Sequence, residues 1–165
     1  MRCNAGISPT LLLDQHLIAE YRELFIPFGQ LRKLNFQSKT PSPERLKLGK
    51  GHIVFWRDKH AYLARRHEAL VEEMKVRGFQ VNLSFWDKDV IPPRFWNDWE
   101  PSYEESLVIR ERVVEKIGEK PTFYRYYREP FTAEEFPLYR EYLLDSPVAD
   151  TNFKIHIHEE VIDAV

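Results

Sequence analysis

A chain of 165 residues has about the length of one ordinary domain, enough to bury about 70% of the surface its unfolded form exposes. Its 43% hydrophobic and 30% charged content excludes disordered and fibrous classes. The lone cysteine, Cys3, excludes an internal disulfide or a cysteine zinc site, and no apolar run reaches membrane-spanning length.

The net charge of −2 is unevenly spread, because residues 1–130 hold 22 Lys and Arg against 18 Asp and Glu, whereas residues 131–165 hold 2 against 8. A mildly basic body therefore precedes an acidic tail, and an anionic partner suits the body better than the tail. The first residues, MRCNAGISPT, lack the apolar centre of a secretion signal, so a cytoplasmic protein without a membrane partner is expected.

Ser8-Pro9 is a helix-entry signal, and a first helix is predicted to run to about Phe25. Leu13, Leu17, Tyr21, Leu24 and Phe28 form its apolar stripe, and His16, Ala19, Glu20 and Glu23 gather on another face. Pro27 and Gly29 are expected to stop or kink it. Residues 37–51 read as a loop carrying Lys39, Arg45, Lys47 and Lys50, a solvated connector or a phosphate contact.

HIVFW at 52–56 is a buried-looking run, after which Asp58 is expected to cap a second helix that ends at Gly78 with Leu63, Leu70 and Met74 turned inward. Residues 80–101, with Trp86, Trp96 and Trp99, read as irregular but packed. Ser102 and Glu105 form a capping box for a third helix, with Leu107, Val113, Val114 and Ile117 on its apolar side and Gly118 and Pro121 at its end. Thr132 and Glu135 predict a short acidic helix near 132–144, weakened by Pro137, and KIHIH near the end alternates like a strand. With neither an internal repeat nor an alternating βαβ pattern, the fold class is all-α, built on three main helices.

No glycine-rich phosphate loop, serine elbow or helical zinc-protease motif is present. His16 with Glu20, and His156 with His158, supply two metal ligands each, so no metal is expected. Gln15, His16, Arg22 and Glu23 form a denser polar set on the non-core side of the first helix, close in sequence to the chain's start. An N-terminal α-amine titrates well below a lysine amine, so a useful fraction is neutral near physiological pH. Such an amine can attack an electrophilic sugar carbon and form an imine, provided that a carboxyl group handles protons and stabilises the developing cation. Glu23 is the candidate for that carboxyl.

DQHLIAEYREL (14–24), GHIVFWRDKHAYLARRHEAL (51–70), RGF (77–79) and EKIGEKPTFYRYY (115–127) resemble, in the same order, segments of the phage endonuclease V family of pyrimidine-dimer DNA glycosylases. The resemblance covers most of residues 1–130 and leaves 131–165 as an acidic extension. It implies a compact all-α domain with its N-terminal segment threaded between helices. The implied enzyme is a monomeric glycosylase and AP lyase on double-stranded DNA holding a UV lesion, working without a cofactor in a bacterial or phage setting.

By the same resemblance Glu23 matches the catalytic glutamate, Arg22 a DNA-contacting arginine, and Gln15 and His16 residues near the site. Arg112 and Lys116 match basic residues of the third helix, and Phe123, Tyr124, Arg125, Tyr126 and Tyr127 an aromatic and basic element that reads the damaged strand. At least one of these aromatics is expected to pack into the core. Phe123 stands where the family has tryptophan, and Ile26 where it has an arginine. Arg2 matches an early arginine if Met1 takes the place of the family's N-terminal threonine, which makes the Met1 amine the expected nucleophile. A different modified base, or a catalytically silent relative that binds distorted DNA or a protein, are the alternative readings.

Overall fold

The computed structural model describes residues 1–46, 48–49, 52–82 and 89–145. Lys47, Lys50, Trp86, His156, His158, the KIHIH strand and the rest of the tail beyond Asp145 lie outside the described residues. Among those described there are six α-helices and one two-stranded antiparallel hairpin, so the class is all-α. The helices are α1 Asp14–Glu23, α2 Ile26–Lys33, α3 His52–Trp56, α4 His60–Val76, α5 Tyr103–Glu119 and α6 Phe136–Asp145, and the hairpin pairs β1 Arg125–Tyr126 with β2 Glu129–Pro130. Two compact units form: Met1–Cys3 with Ala19–Glu100, and Asn4–Ile18 with the chain from Pro101 onward.

In the first unit, Pro27 both ends α1 and begins α2. A proline in a continuing helix would lack its N–H and press its ring on the carbonyl four residues back, that of Glu23. The helix stops at Glu23 and restarts at Ile26 with Pro27 in the new first turn, where a missing N–H costs nothing. The expected stop at Gly29 does not occur, because Gly29 lies inside α2.

HIVFW is helical, with Phe55 and Trp56 buried. Asp58 does not cap the next helix: α4 starts at His60 with Lys59 as its N-cap, so Asp58 stands one residue too early to reach the open N–H groups. Its carboxylate accepts instead from Lys59 Nζ at 2.8 Å and Ser42 Oγ at 3.1 Å. Leu63, Leu70 and Met74 are buried as expected. Phe55, Trp56, Tyr62 and Trp99 form an aromatic cluster whose edge-to-face centroid distances, 4.9 to 5.4 Å, favour quadrupole attraction.

Glu20, expected on the polar face of the first helix, is fully buried. Arg66 of α4 reaches it with Nε on Oε1 at 2.7 Å and Nη2 on Oε2 at 3.1 Å. That two-pronged geometry is what allows a carboxylate to be taken out of water at all.

In the second unit the Ser102–Glu105 capping box forms in both directions, and α5 buries Ile109, Val113, Val114 and Ile117, while Leu107 stays partly exposed. Gly118 does not end α5. A Cβ there would stand 3.2 Å from Cζ of Phe136, so the glycine serves the close packing of α6 on α5. Gly6 is fixed more strictly: its φ is +81°, and a Cβ would collide with the Ser106 side chain. Its carbonyl accepts from the buried Arg110 at 2.7 Å. Thr132 and Glu135 hydrogen-bond each other but do not start the helix expected near 132: they make a turn, and α6 begins after it at Phe136 with Pro137 as its second residue, where proline does not weaken a helix.

His60, fully buried at the start of α4, is held down by burial to a pKa of about 4, and burial lowers that of His67 as well. The folded state keeps His60 neutral while the unfolded chain takes up a proton near the ordinary imidazole value of 6.5. Its contribution is therefore complete above pH 6.5 and is lost as pH falls from there towards 4, by about 3 kcal/mol in total. Urea unfolding at stepped pH should show this loss, and His60→Gln should remove that share of the pH dependence.

Candidate functional site

Glu23 is the last residue of α1, where the helix leaves unpaired carbonyls and a partial negative charge. A carboxylate in that position calls for cations, and the chain's own beginning supplies two. The Met1 amine lies 3.7 Å from Oε2, and the Arg2 guanidinium donates to Oε1 at 3.2 Å. The Arg2 backbone N–H donates to Oε2 at 2.6 Å. Glu23 keeps 29% of its side chain exposed and Arg2 57%, so the carboxylate and the guanidinium are open to a ligand from solvent, while the Met1 side chain is fully buried. Arg22, beside it, is exposed.

One turn earlier, the Glu20–Arg66 pair ties the end of α1 to α4. From α3, His52 brings Nε2 to 2.9 Å from the Met1 carbonyl oxygen and Nδ1 to 2.6 Å from that of Gly49. A neutral amine in this setting can attack an electrophilic carbon while the neighbouring carboxylate accepts a proton or faces the cation that results.

The second unit collects a different set. Gln15 of α1 holds the PTFYRYY segment with both ends of its amide: Nε2 donates to the Phe123 carbonyl at 2.8 Å, and Oε1 accepts from the Arg125 N–H at 3.0 Å. Asp14 beside it accepts from the Arg128 N–H at 2.7 Å. The segment then turns back as the β1–β2 hairpin. Its two turn residues, Tyr127 and Arg128, both have positive φ, +49° and +69°, a conformation normally left to Asn and Gly.

Tyr124 and Tyr126 are buried, the latter with its hydroxyl on the Thr10 carbonyl at 2.8 Å. These are aromatics that pack inward. Phe123, by contrast, is 64% exposed, with exposed Arg125 two residues on. His16 stands edge-on to Tyr124 at 5.0 Å. Lys116 is exposed near Glu119 and Arg112 is half-buried, both on α5. The sequence therefore finds two groups: Met1, Arg2, Arg22 and Glu23 in the first unit, and Gln15, His16, Arg112, Lys116 and residues 123–127 in the second.

His52, Glu20 with Arg66, and Asp14 carry parts of these arrangements that the sequence did not single out as site residues. His52 meets Met1 across 51 positions, and no local spacing announces such a partner. Glu20 and Glu23 do share a helix face at i, i+3, which is the one signal that could have linked them.

A family model described as pyrimidine dimer DNA glycosylase matches residues 4–87 of this chain. The match takes in Gln15, His16, Arg22, Glu23 and His52; Met1 and Arg2 precede it, and Arg112, Lys116 and the hairpin follow it.

Removing the Gln15 amide leaves the Phe123 carbonyl and the Arg125 N–H without their side-chain partner. Gln15→Ala should cost about 1–2 kcal/mol in urea unfolding, and hydrogen exchange at the Arg125 amide should quicken while exchange within α4 stays unchanged.

Proposed function

The chain belongs to the pyrimidine dimer DNA glycosylase family, and from that premise we propose that it is a repair glycosylase and AP lyase that uses the Met1 amine as nucleophile and Glu23 as its acid-base and charge-stabilising partner. The observation that carries this reading is the 3.7 Å between amine and carboxylate. The two groups come from opposite ends of a 23-residue stretch and meet where the carboxylate is partly exposed.

The reaction begins with the neutral amine attacking C1′ of the damaged nucleotide. A nitrogen–carbon bond forms as the glycosyl bond breaks, and the base departs with a proton. The sugar ring opens as C1′ becomes the carbon of a protonated imine, whose positive charge develops beside Glu23. Loss of a proton from C2′ then pushes electrons toward the iminium and expels the 3′ phosphate. Water finally hydrolyses the imine, returning the amine. A carboxylate near the nitrogen favours each cationic stage and can accept the protons released.

Binding falls to the exposed cations and the exposed ring. Arg2 and Arg22 in the first unit, and Lys116 and Arg125 in the second, are available for phosphate oxygens, with Arg112 and His16 beside them as further contacts. Phe123 offers a stacking face, and a lesion that already distorts the duplex lowers the cost of opening the stack. Tyr124 stands edge-on to Phe123 at 5.4 Å, and Tyr126 and Tyr127 stand edge-on to each other at 4.7 Å in the same element. Phosphate contacts made by so modestly basic a body give binding that weakens steeply with salt.

Borohydride should trap a covalent protein–DNA adduct on duplex containing a cyclobutane pyrimidine dimer or an abasic site, in the presence of a metal chelator. Glu23→Gln should lower strand nicking on the order of 100-fold or more, and acetylating the terminal amine should abolish the adduct. Full activity in either altered protein would refute the assignment.

A further inference from the structure

The Met1 carbonyl and the Arg2 N–H belong to one peptide unit, and that unit is held at both edges. His52 Nε2 lies 2.9 Å from the Met1 oxygen, and the Arg2 N–H donates to Glu23 Oε2 at 2.6 Å. A trans peptide unit is planar, with its oxygen and its hydrogen on opposite sides. Gripping both fixes the plane and, with it, the position of the Met1 Cα that lies in it. The amine nitrogen, about 1.46 Å from that Cα, keeps one rotation, about the Met1 Cα–C bond. At its present point on that circle it stands 3.7 Å from Glu23 Oε2, beyond hydrogen-bond length.

The ring of His52 is itself anchored. It belongs to the first residue of α3, and its other nitrogen, Nδ1, lies 2.6 Å from the Gly49 carbonyl oxygen; both neighbours are acceptors, so the Nε2–H tautomer holds the Met1 oxygen alone and the doubly protonated ring holds both. A chain terminus is ordinarily the least ordered part of a domain. Here its first peptide plane is tied on one side to α3 and on the other to the end of α1.

We propose that His52 is a positioning residue for the reaction: with Glu23 it clamps the Met1–Arg2 peptide plane and confines the amine to a single swivel, the freedom needed to reach C1′ and return toward the carboxylate. This rests on the reading of the amine as nucleophile. His52 makes no bond to substrate and transfers no group; it acts by removing the orientations in which the amine cannot attack. Loose positioning of a reacting group by even 1 Å is enough to slow a reaction on the order of 100-fold.

The test uses the full chain, a duplex with a single abasic site, and two variants. His52→Ala deletes the clamp, and His52→Gln restores one N–H donor that can reach the Met1 carbonyl. The single-turnover rate of borohydride-trapped adduct should fall on the order of 10- to 100-fold in His52→Ala, while duplex affinity stays within about twofold, a loss confined to the reacting step. His52→Gln should recover a large part of the rate.

An adduct formed by His52→Ala at the unsubstituted rate overturns the inference and leaves the amine mechanism standing. Rate and affinity falling together, with His52→Gln no better than His52→Ala, also overturns it, because that pattern marks a general structural role. No adduct from the unsubstituted chain refutes the amine mechanism and this inference with it.

Discussion

The carboxylate of Glu23 is the interaction on which the first unit's open surface depends. It closes the negative end of α1, accepts the Arg2 backbone N–H and guanidinium, and stands beside the Met1 amine. Any account of this surface must explain why a carboxylate stays at a helix end that disfavours it. Pro27 forces α1 to stop there, Glu20 and Arg66 prevent that end from swinging away, and the chain's own cationic beginning supplies the compensating charge. The buried pair one turn back has a different purpose from the exposed one. Arg66 and Glu20 are fully engaged with each other, whereas Glu23 is left with solvent access.

The hairpin of the second unit obeys a similar logic of local cost and local support. Two consecutive non-glycine residues with positive φ cost on the order of 1–3 kcal/mol each unless the surroundings hold them. Asp14, itself buried, accepts the Arg128 N–H, the Arg125 guanidinium donates to the Arg128 carbonyl at 3.1 Å, and Gln15 holds the entry to β1. What the strained turn gains is alternation over a very short span: Phe123 and Arg125 are exposed while Tyr124 and Tyr126 are buried. A looser loop of the same composition would let the exposed ring fold back onto the apolar surface.

Much of this was legible in the sequence where the signal is local. The Ser102–Glu105 box, the inward stripe of α4 and the all-α class all follow from spacing and capping chemistry that act within one or two turns. The errors share a cause. Asp58 and Gly118 carry the right residue types for cap and terminator, yet a one-residue shift of the α4 start and the packing of Phe136 gave them other tasks. Glu20 has the composition of a solvated face and is buried because Arg66, 46 positions away, reaches it. The site divides in the same way: Glu23, Arg22 and Gln15 sit in one contiguous motif, whereas His52 acquires its part only when the terminus folds against it. The two-residue strands of the hairpin are too short for any period-2 pattern to register.

In the proposed mechanism, a terminal amine in place of a lysine has a structural consequence. A lysine nucleophile must be desolvated to lose its proton at neutral pH, which encloses the site. Lys59 shows what this chain does with a sequestered lysine: its ammonium donates to the Phe55 carbonyl and Asp58, each at 2.8 Å, and lies over the Phe55 ring, a purely structural arrangement. An α-amine needs no such enclosure, so Glu23 and Arg2 can stay open to something as large as a duplex. The difficulty moves from protonation to order, since terminal residues are ordinarily the least ordered part of a domain. The paired grip of α1 and α3 on the first peptide plane, together with full burial of the Met1 side chain, answers that difficulty.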